Sequence, residues 1–598
     1  MTFPNRNHLW ARALVDELAR AGVREVVISP GSRSTPLVLA AAADSRLRSV
    51  VQVDERSAGF LALGVGKGTR RPAAVITTSG TAVANLLPAV VEAAWSDTPL
   101  LLLTADRPPH LRGADANQAI DQVHLFGRYV RMFEELAPGV ISERTLRHLR
   151  GVGSRAVAAA VGDPAGPVHL NLPFAKPLEP TPVPGDGPPE LEEGGGMGMA
   201  GRGAGRPFTR IHPRRGAPDP EGLRGLGARL GAARRPLVVA GPVPRPGEVG
   251  PLIRRLAQER GVPVLADALS GARFGEGDVG HVLGGYDLFL RAPRFRSLAR
   301  PDLIVRLGAT PTSAVLAGYL EEHAGTDQVV VDGGGRWKDH LAVAGEYLAG
   351  DPALVLEALA GDGESATPLW TRLWQGAEAA VRAALARELG GGTFFEGAAV
   401  ARVAHRCPEG AVLFLSNSMP VRDLDAFVPA LPGAASVMGN RGASGIDGIV
   451  STAAGVSLGA SAHVVAVVGD LALIHDMNGL LALREEGIRV TLVVIQNDGG
   501  GIFHRLPIRE HEPEFTRYFA TPHGLEVSRI AELHGLPLAR ARDLEGLDRA
   551  LDEAAGWESG GIVEVPTDRD GSLERSREVA SRVERGVEDA MEELPGEP

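Results

Sequence analysis

The chain has 598 residues, more than one hydrophobic core organises, and ordinary domain sizes of roughly 100–200 residues predict three or four domains. Hydrophobic residues make up 44%, charged residues 23% and aromatics 5%, which fills sheets and helices and excludes a disordered chain. A formal charge of −11 argues against a surface built for nucleic acid, while clustered arginines still hold small anions.

The N-terminal run MTFPNRNHLWARALVDEL places Asp16 and Glu17 where a secretory signal needs an apolar core, and no apolar run is long enough to span a bilayer. The expectation is a cytoplasmic protein with no membrane partner. From Val23, VREVVISPG, TPLVLAAAA, SVVQVDE, AGFLALGVGKG, AAVITTSG, NLLPAVVEAAW and LLLLTADRPP alternate short β-branched runs with helical ones. That alternation predicts an α/β fold with a parallel sheet covered on both faces, and such sheets hold ligands beyond the carboxyl ends of their strands. The polar clusters SPGSRS, DERSAG, TTSGTA and TADRPP all fall there.

The first domain is read as residues 1–182, closing on GPVHLNLP. Residues 183–220, with GGGMGMAGRGAGR and several prolines, read as a linker, expected to be mobile from Gly194 to Gly205. A central domain, 221–365, runs through RPLVVAGPV, VPVLAD, DLIVRLG and QVVVD. A third, 366–575, repeats the alternation in AVLFLSNS, HVVAVVGD, RVTLVVIQND and GGIVEVP. Residues 576–598 read as a charged tail, a surface helix with a frayed end. The single cysteine, Cys407, has no partner for a disulfide or a multi-cysteine metal site and reads as a buried small hydrophobe.

Asp470 ends one apolar run and Asn497 the next, so adjacent strand ends bring their oxygens together. With the backbone carbonyl of Gly499 they form the oxygen set a hard cation such as Mg²⁺ takes from protein. Gly499, Gly500 and Gly501 let backbone N–H groups approach a diphosphate. A lone Gly-Asp is more often a plain strand-end turn. Glu55 stands directly after a strand and at the head of a helix, a place where an acid is also favoured by the helix dipole alone.

Together these segments resemble the thiamine-diphosphate enzymes, whose diphosphate motif begins Gly-Asp-Gly and ends Asn-Asn. Leu471 replaces the third glycine and Gln496 the first asparagine, and the cofactor-binding run continues through Ala472. The resemblance makes Glu55 the carboxylate on the aminopyrimidine ring, which belongs in a poorly solvated place. It sets Gly80 and Asn85, in SGTAVAN, beside that ring. It implies three doubly wound parallel-sheet domains: pyrimidine-binding, central and pyrophosphate-binding.

ISPGSRSTPL, TADRPPHLRGADANQAIDQ, SNSMPVRD and NRGASGIDGIVSTAAG are similar to the SEPHCHC synthase family within that superfamily. Matched position by position, the resemblance implies Ser32, Arg33 and Gln118 as catalytic beside Glu55. Arg107, Asn117, Ser418, Arg422 and Arg441 become substrate-binding, with Ile502, Phe503 and Leu506 as an apolar wall and Ile446 as a wedge under the thiazolium. It further implies decarboxylation of 2-oxoglutarate, addition of the succinyl carbanion to isochorismate in menaquinone biosynthesis, and a Mg²⁺ or Mn²⁺ ion. A homodimer or homotetramer follows, because the family's cofactor lies between subunits. Guanidinium forks suit the four carboxylates of the two substrates, although any single arginine is more often a surface residue. For Gln118 the plain alternative is a solvated loop glutamine. The family's cationic pair in the middle domain is replaced by Ala314 and Val315 in GATPTSAVLAG.

Three other readings stand beside this one. A pyruvate-acting carboligase or decarboxylase keeps the cofactor but needs fewer arginines, and no adjacent His-His pair of the decarboxylase kind occurs. A subunit without turnover is expected to lack the activating acid. A dinucleotide-dependent oxidoreductase lacks its G-x-G-x-x-G fingerprint after a first strand.

Overall fold

The computed structural model describes residues 4–186, 196–275, 279–361, 366–390, 394–432 and 436–592. The first sheet contains β1 (Glu25–Ile28), β2 (Arg48–Val51), β3 (Ala73–Thr77), β4 (Leu100–Asp106), β5 (Met132–Glu135) and β6 (Pro167–Pro173), in the order β2-β1-β3-β4-β6-β5. All its pairings are parallel, and every residue of β3, β4 and β6 is buried, as a sheet covered on both faces requires.

The second sheet is formed by β7 (Pro236–Ala240), β8 (Val264–Ala266), β10 (Val282–Leu283), β11 (Leu303–Leu307), β12 (Asp327–Asp332) and β13 (Glu346–Ala349), ordered β10-β8-β7-β11-β12-β13. The third contains β14 (Val412–Leu415), β16 (Ser436–Gly439), β17 (Val464–Gly469), β18 (Val490–Gln496), β19 (Leu538–Arg540) and β20 (Gly561–Pro566), ordered β16-β14-β17-β18-β20-β19. First and third sheets therefore share one winding, and the middle sheet has the order of dinucleotide-binding domains. A short parallel ladder joins β9 (Phe274–Gly275) to β15 (Leu431–Pro432). Beside it the buried Arg273 binds Asp425 at 2.6 Å, and Tyr286 donates to the same carboxylate oxygen at 2.6 Å.

Contacts divide the chain into two compact units. The first holds Met1–Arg214, Asn440–Ala462 and His475–Val490; the second holds Arg215–Gly439, His463–Ile474 and Thr491–Pro598. Two stretches that the sequence reading assigns to the third domain thus pack with the first sheet. The reason is a close helix crossing. The helix Glu55–Thr69 lies against the helix Ile449–Ala460, and a Cβ on Gly64 would stand 2.1 Å from the Thr452 carbonyl oxygen. One on Gly455 would stand 1.9 Å from that of Leu61. Asp476, fully buried, clasps the crossing: Ser57 Oγ donates to it at 2.9 Å, and Ser451 donates through N at 2.7 Å and Oγ at 2.9 Å. Burial pushes the Asp476 carboxyl up to about 6 against those hydrogen bonds.

Two expectations need correcting. The glycine-rich linker is pinned from Gly196 onward, whereas Gly194 itself lies outside the described residues. Met197–Ala200 form a helical turn, Gly198 N donates to Glu143 at 2.8 Å, and the buried Arg150 donates to the carbonyls of Gly198 (2.6 Å) and Met199 (2.8 Å). Arg20 adds a bond to the Ala200 carbonyl at 3.0 Å. A Cβ on Gly198 would meet the Glu143 carbonyl oxygen at 2.8 Å, so the small residues serve close docking rather than freedom. The charged tail is also no separate piece. It belongs to a helix, Arg569–Glu592, whose Val579, Val583, Val587 and Met591 form a buried stripe at i, i+4 spacing within the second unit's core. Among the described residues no helix is long and apolar enough to cross a membrane. Cys407 is half-buried against that core, and burial pushes its thiol up to about 12.

The glycine crossing gives a direct test. Gly455→Val is expected to destabilise the first unit by about 3 kcal/mol, at the upper end of overpacking costs, because backbone rather than a mobile side chain must yield. Gly225→Ala, in an open helix position with nothing near its Cβ, is expected to stabilise by about 0.5–1 kcal/mol. Thermal unfolding of the two variants reads both, and a Gly455→Val protein melting with wild type contradicts the crossing.

Candidate active site

In the first unit the predicted residues gather at the carboxyl ends of the first sheet. Ser32 and Arg33 lie in the turn after β1, Glu55 begins the helix after β2, Gly80 follows β3 and Arg107 follows β4. The turns after β1 and β3 touch, since a Cβ on Gly31 would fall 2.3 Å from that of Thr78. Asp54 caps the Glu55 helix by accepting from Arg56 N at 2.9 Å, which points the first turn at the strand ends. Glu55 is half-buried in the single chain, less enclosed than its expected role demands, and Asn85 Nδ2 reaches its Oε2 at 3.4 Å.

Gly80 takes a positive φ of 84°, and its N–H donates to Gln122 Oε1 at 3.0 Å. Gln122 is fully buried and continues to the Ala105 carbonyl (3.2 Å) and Asn171 Oδ1 (2.9 Å). Asn171 in turn donates to Asp106 at 2.8 Å, and Asp106 accepts from Arg107 N at 2.6 Å. One buried network thereby holds both the Gly80 turn and the Arg107 loop. Gln122 closes the run TADRPPHLRGADANQAIDQ that carries the family resemblance, but the sequence alone gave it no role.

Gln118 is exposed, and its amide is spent on the same turn: Nε2 donates to the Ser79 carbonyl at 2.9 Å while Ser79 Oγ returns a bond to the Gln118 carbonyl at 2.9 Å. Asn117 and Ser32 are exposed. Arg33 is buried, with Nη1 on the Phe174 carbonyl at 2.7 Å and Nε without a hydrogen bond; Arg107 Nε is likewise buried and unbonded. Arg441 and Ile446 precede the helix Ile449–Ala460 and are half-buried. Their loop is gripped by the buried Glu92, which accepts from Gly442 N (3.0 Å), Ala443 N (2.7 Å) and Lys67 Nζ (3.2 Å).

The second unit holds a separate group of the predicted residues. Asp470 is buried directly after β17; its Oδ1 accepts from Leu471 N at 2.6 Å and its Oδ2 from Asn497 N at 3.2 Å and Gly499 N at 3.0 Å. Asn497 Nδ2 donates to Glu396 at 2.8 Å, which leaves Oδ1 buried without a hydrogen bond, an oxygen of the kind a hard cation takes. Gly499 has φ 134°, and a Cβ there would fall 2.0 Å from the Ala520 carbonyl oxygen. One on Gly500 would reach the Phe519 carbonyl oxygen at 2.5 Å, and one on Gly501 the Asn497 amide nitrogen at 2.8 Å. Among the described residues no group of three His, Cys, Asp or Glu is placed to hold a metal, so the fitting set is a carboxylate, an amide oxygen and a carbonyl. Ala472 is buried and Leu471 half-buried beside Asp470.

Sequence reasoning missed three neighbours of this group. Glu396 accepts from Asn497 and Thr567, and desolvation raises its carboxyl above the ordinary range. His523 Nε2 stands 3.3 Å from Asp470 Oδ2 without hydrogen-bond alignment, and Arg569 Nη1 fixes the Asp498 carbonyl at 2.7 Å. Ser418, at φ 70°, precedes the helix Met419–Phe427, and its carbonyl accepts from Arg422 at 2.6 Å. Ile502 and Phe503 are half-buried, Phe503 packing edge-on against Phe519 with centroids 5.7 Å apart, and Leu506 is exposed.

Comparison with known proteins matches three family models. They are the thiamine pyrophosphate enzyme N-terminal TPP binding domain over residues 10–125, the middle domain of thiamine pyrophosphate over 231–415, and the thiamine pyrophosphate enzyme C-terminal TPP binding domain over 430–565. The 2-succinyl-5-enolpyruvyl-6-hydroxy-3-cyclohexene-1-carboxylate synthase of Halobacterium salinarum is 46% identical, with 98% of this chain and 99% of that protein aligned. Proteins of the same description from Roseiflexus sp. (45% identical, 96% and 97% covered) and Geobacillus kaustophilus (41%, 98% and 99%) are similarly close. Among solved structures, a putative thiamin diphosphate-dependent enzyme from Mycobacterium smegmatis aligns with a TM-score of 0.67 at 21% identity over 92% of this chain and 98% of that one. Benzoylformate decarboxylase from Polynucleobacter necessarius aligns at 0.69 and 19% over 95% and 99%, and both share the fold.

Asp423, on the helix after Ser418, provides a pH-dependent readout of this unit. It is buried and makes no hydrogen bond or ion pair among the described residues, and desolvation pushes its carboxyl from 3.8 up to about 8. The folded state therefore binds the proton that the unfolded state releases above 3.8, and stability falls as pH rises through that window. Asp423→Asn removes this contribution, so the variant is expected to gain thermal stability over wild type progressively from about pH 4 to pH 8. Parallel melting profiles across that range contradict the assignment.

Proposed function

Because the chain belongs to the 2-succinyl-5-enolpyruvyl-6-hydroxy-3-cyclohexene-1-carboxylate synthase family of thiamine-diphosphate enzymes, we propose that it joins a succinyl unit from 2-oxoglutarate to isochorismate in menaquinone biosynthesis. What supports this reading is that a chain aligned along its length with those synthases carries both an acid at the head of a helix, Glu55, and the Asp470–Asn497 pocket.

Bound thiamine diphosphate supplies the carbanion chemistry: attack on the keto carbon, loss of carbon dioxide, and transfer of the remaining carbon with its electron pair. Glu55 would share a proton with the aminopyrimidine nitrogen, and Asn85 Nδ2 stands 3.4 Å from its Oε2. Asp470, Asn497 Oδ1 and the Gly499 carbonyl would hold Mg²⁺ or Mn²⁺, with Ala472 beside them; the N–H groups of Gly499, Gly500 and Gly501 are already spent on Asp470 (3.0 Å), the Ala520 carbonyl (2.7 Å) and the Gly499 carbonyl (3.0 Å), which corrects the expectation that this run offers its N–H groups to a diphosphate. Ile446 supports the thiazolium. Arg33, Arg107, Arg422 and Arg441, with Ser32, Asn117 and Ser418, orient substrate carboxylates, and Ile502, Phe503 and Leu506 keep water from the reacting carbon. Gln118 acts through the Ser79–Gly80 turn that it clasps.

The half-buried Glu55 supports a self-assembled enzyme, a homodimer or homotetramer in which a second copy closes over it. We place the reaction in the cytoplasm.

Carbon dioxide release and isochorismate consumption by the purified protein with thiamine diphosphate and Mg²⁺ are expected to require 2-oxoglutarate, with pyruvate inert. Turnover of pyruvate with isochorismate untouched leaves the cofactor and removes the pathway. In that assay Glu55→Gln is expected to lower turnover by about 100-fold or more, at the lower end of what an acid–base group contributes, with cofactor affinity retained. Near-normal turnover excludes its role. Asp470→Ala is expected to abolish Mg²⁺-dependent binding of thiamine diphosphate in calorimetry, and unchanged affinity in that variant removes the cation site.

A further inference from the structure

Asn497 meets a cation through an amide, and the two ends of an amide are not equivalent. Oδ1 is a hard oxygen donor, whereas Nδ2 carries two hydrogens and repels a cation. The two ends have nearly the same shape, so packing does not choose between them. The choice falls to whatever the amide meets on its far side.

Here it meets Glu396. Asn497 Nδ2 donates to Glu396 Oε1 at 2.8 Å, and Thr567 Oγ1 donates to the same oxygen at 3.2 Å. An oxygen that already accepts twice presents no hydrogen to the amide, so it bonds the NH₂ end and repels the carbonyl end. Oδ1 is thereby turned away from Glu396 and left buried without a hydrogen bond. The backbone of Asn497 is held separately, its N–H donating to Asp470 Oδ2 at 3.2 Å.

Glu396 is itself firmly placed. It opens the helix Glu396–Arg406, and its N–H donates to Ser572 Oγ at 3.4 Å. The preceding Phe395 packs edge-on against Phe427 with centroids 5.4 Å apart, and a Cβ on Gly397 would fall 2.4 Å from the Phe427 ring. The start of this helix therefore has no room to shift. A helix start favours an acid by its dipole alone, but such an acid gains nothing by leaving water. Glu396 is only 7% exposed, and what its burial secures is the contact with Asn497 and Thr567.

We infer that Glu396 is a positioning residue of the cation site: by accepting the Asn497 NH₂ group it keeps Oδ1 available to Mg²⁺ or Mn²⁺, and so sets the affinity of the site through Asn497 rather than as a ligand. The inference rests on the cation site of the reading above. Without the acid the amide is free to turn its nitrogen towards the ion, and outer partners of this kind are worth about 10–100-fold in metal affinity.

The test uses the full chain with thiamine diphosphate and titrates Mn²⁺, bound metal being read from loss of the free-ion EPR signal against a protein-free blank. Thermal unfolding without metal reports the fold of each variant. Glu396→Ala is expected to weaken Mn²⁺ binding about tenfold, at the lower end of outer-partner effects, and Glu396→Gln, whose amide can meet Asn497 by either end, falls between it and wild type. The decisive arm adds Asn497→Asp. A carboxylate has two equivalent oxygens and needs no orienting, so Glu396→Ala in that background is expected to cost no Mn²⁺ affinity. Equal losses in both backgrounds make Glu396 a packing residue and overturn the inference, as does wild-type affinity in both Glu396 variants. Should Glu396→Ala fail to fold, the isosteric Glu396→Gln carries the same comparison. Wild-type protein that binds no Mn²⁺ removes the cation site and this role together. If Mn²⁺ binding follows Glu396 as stated while 2-oxoglutarate is not turned over, the carboligase reading fails and the positioning role stands.

Discussion

The crossing of the helices Glu55–Thr69 and Ile449–Ala460 is the constraint on which the first unit's group of site residues depends. Its spacing is set by what Gly64 and Gly455 lack, since neither position has room for a single added carbon. Buried Asp476 then ties both helices from one point, with each of its oxygens accepting N–H or O–H. A buried carboxylate is costly unless so saturated, and the bonds from Ser57 and Ser451 offset that cost only in this geometry. Glu55 opens the first helix and Ile446 lies shortly before the second. The crossing therefore fixes where an acid and an apolar side chain from distant parts of the chain stand.

In the second unit the same economy is applied with opposite effect. Asp470 is satisfied by N–H groups of Leu471, Asn497 and Gly499, so the loop after β18 folds onto the strand end after β17 before any ligand arrives. The oxygen left over is Asn497 Oδ1, because Glu396 takes the amide's other end. Preorganisation of this kind means that a bound cation would not have to order the loop. The cost sits in Glu396, whose desolvated carboxyl is raised by burial.

The sheets were legible because their strands are near-continuous apolar runs ending in polar clusters, and Glu55, Gly80 and Asp470 fall at those ends as read. What the sequence hid were acceptors and donors that act across long separations. Glu92 grips residues 350 positions away, Glu396 meets Asn497 across 101, and Gln122 holds Gly80 across 42. Each looks locally like an ordinary helix or loop residue. The glycine-rich run was misread for a related reason. Composition reports backbone freedom, whereas docking against Glu143 and Arg150 depends on carbonyls that no residue letter displays. The last helix was read as a helix, its expected frayed end lies outside the described residues, and what the charges hid was the buried valine stripe that the i, i+4 period reveals.

The middle sheet shows why strand order alone does not make a site. Its order places a topological switch between β7 and β11, where a dinucleotide lies in domains of that winding. Here the mouth is occupied by chain. Gly241 N donates to the Leu307 carbonyl at 2.9 Å, and Ala309 N to that of Pro242 at 2.9 Å. A Cβ on Gly241 would stand 1.6 Å from the Ala309 carbonyl oxygen, so the two loops meet backbone to backbone. Asp267, the acid at the end of β8, accepts from Leu269 N at 2.9 Å and Thr312 N at 2.9 Å and is used up in holding those loops. Glycines that would admit a pyrophosphate are spent on closure, so the winding of this sheet does not by itself make a ligand site.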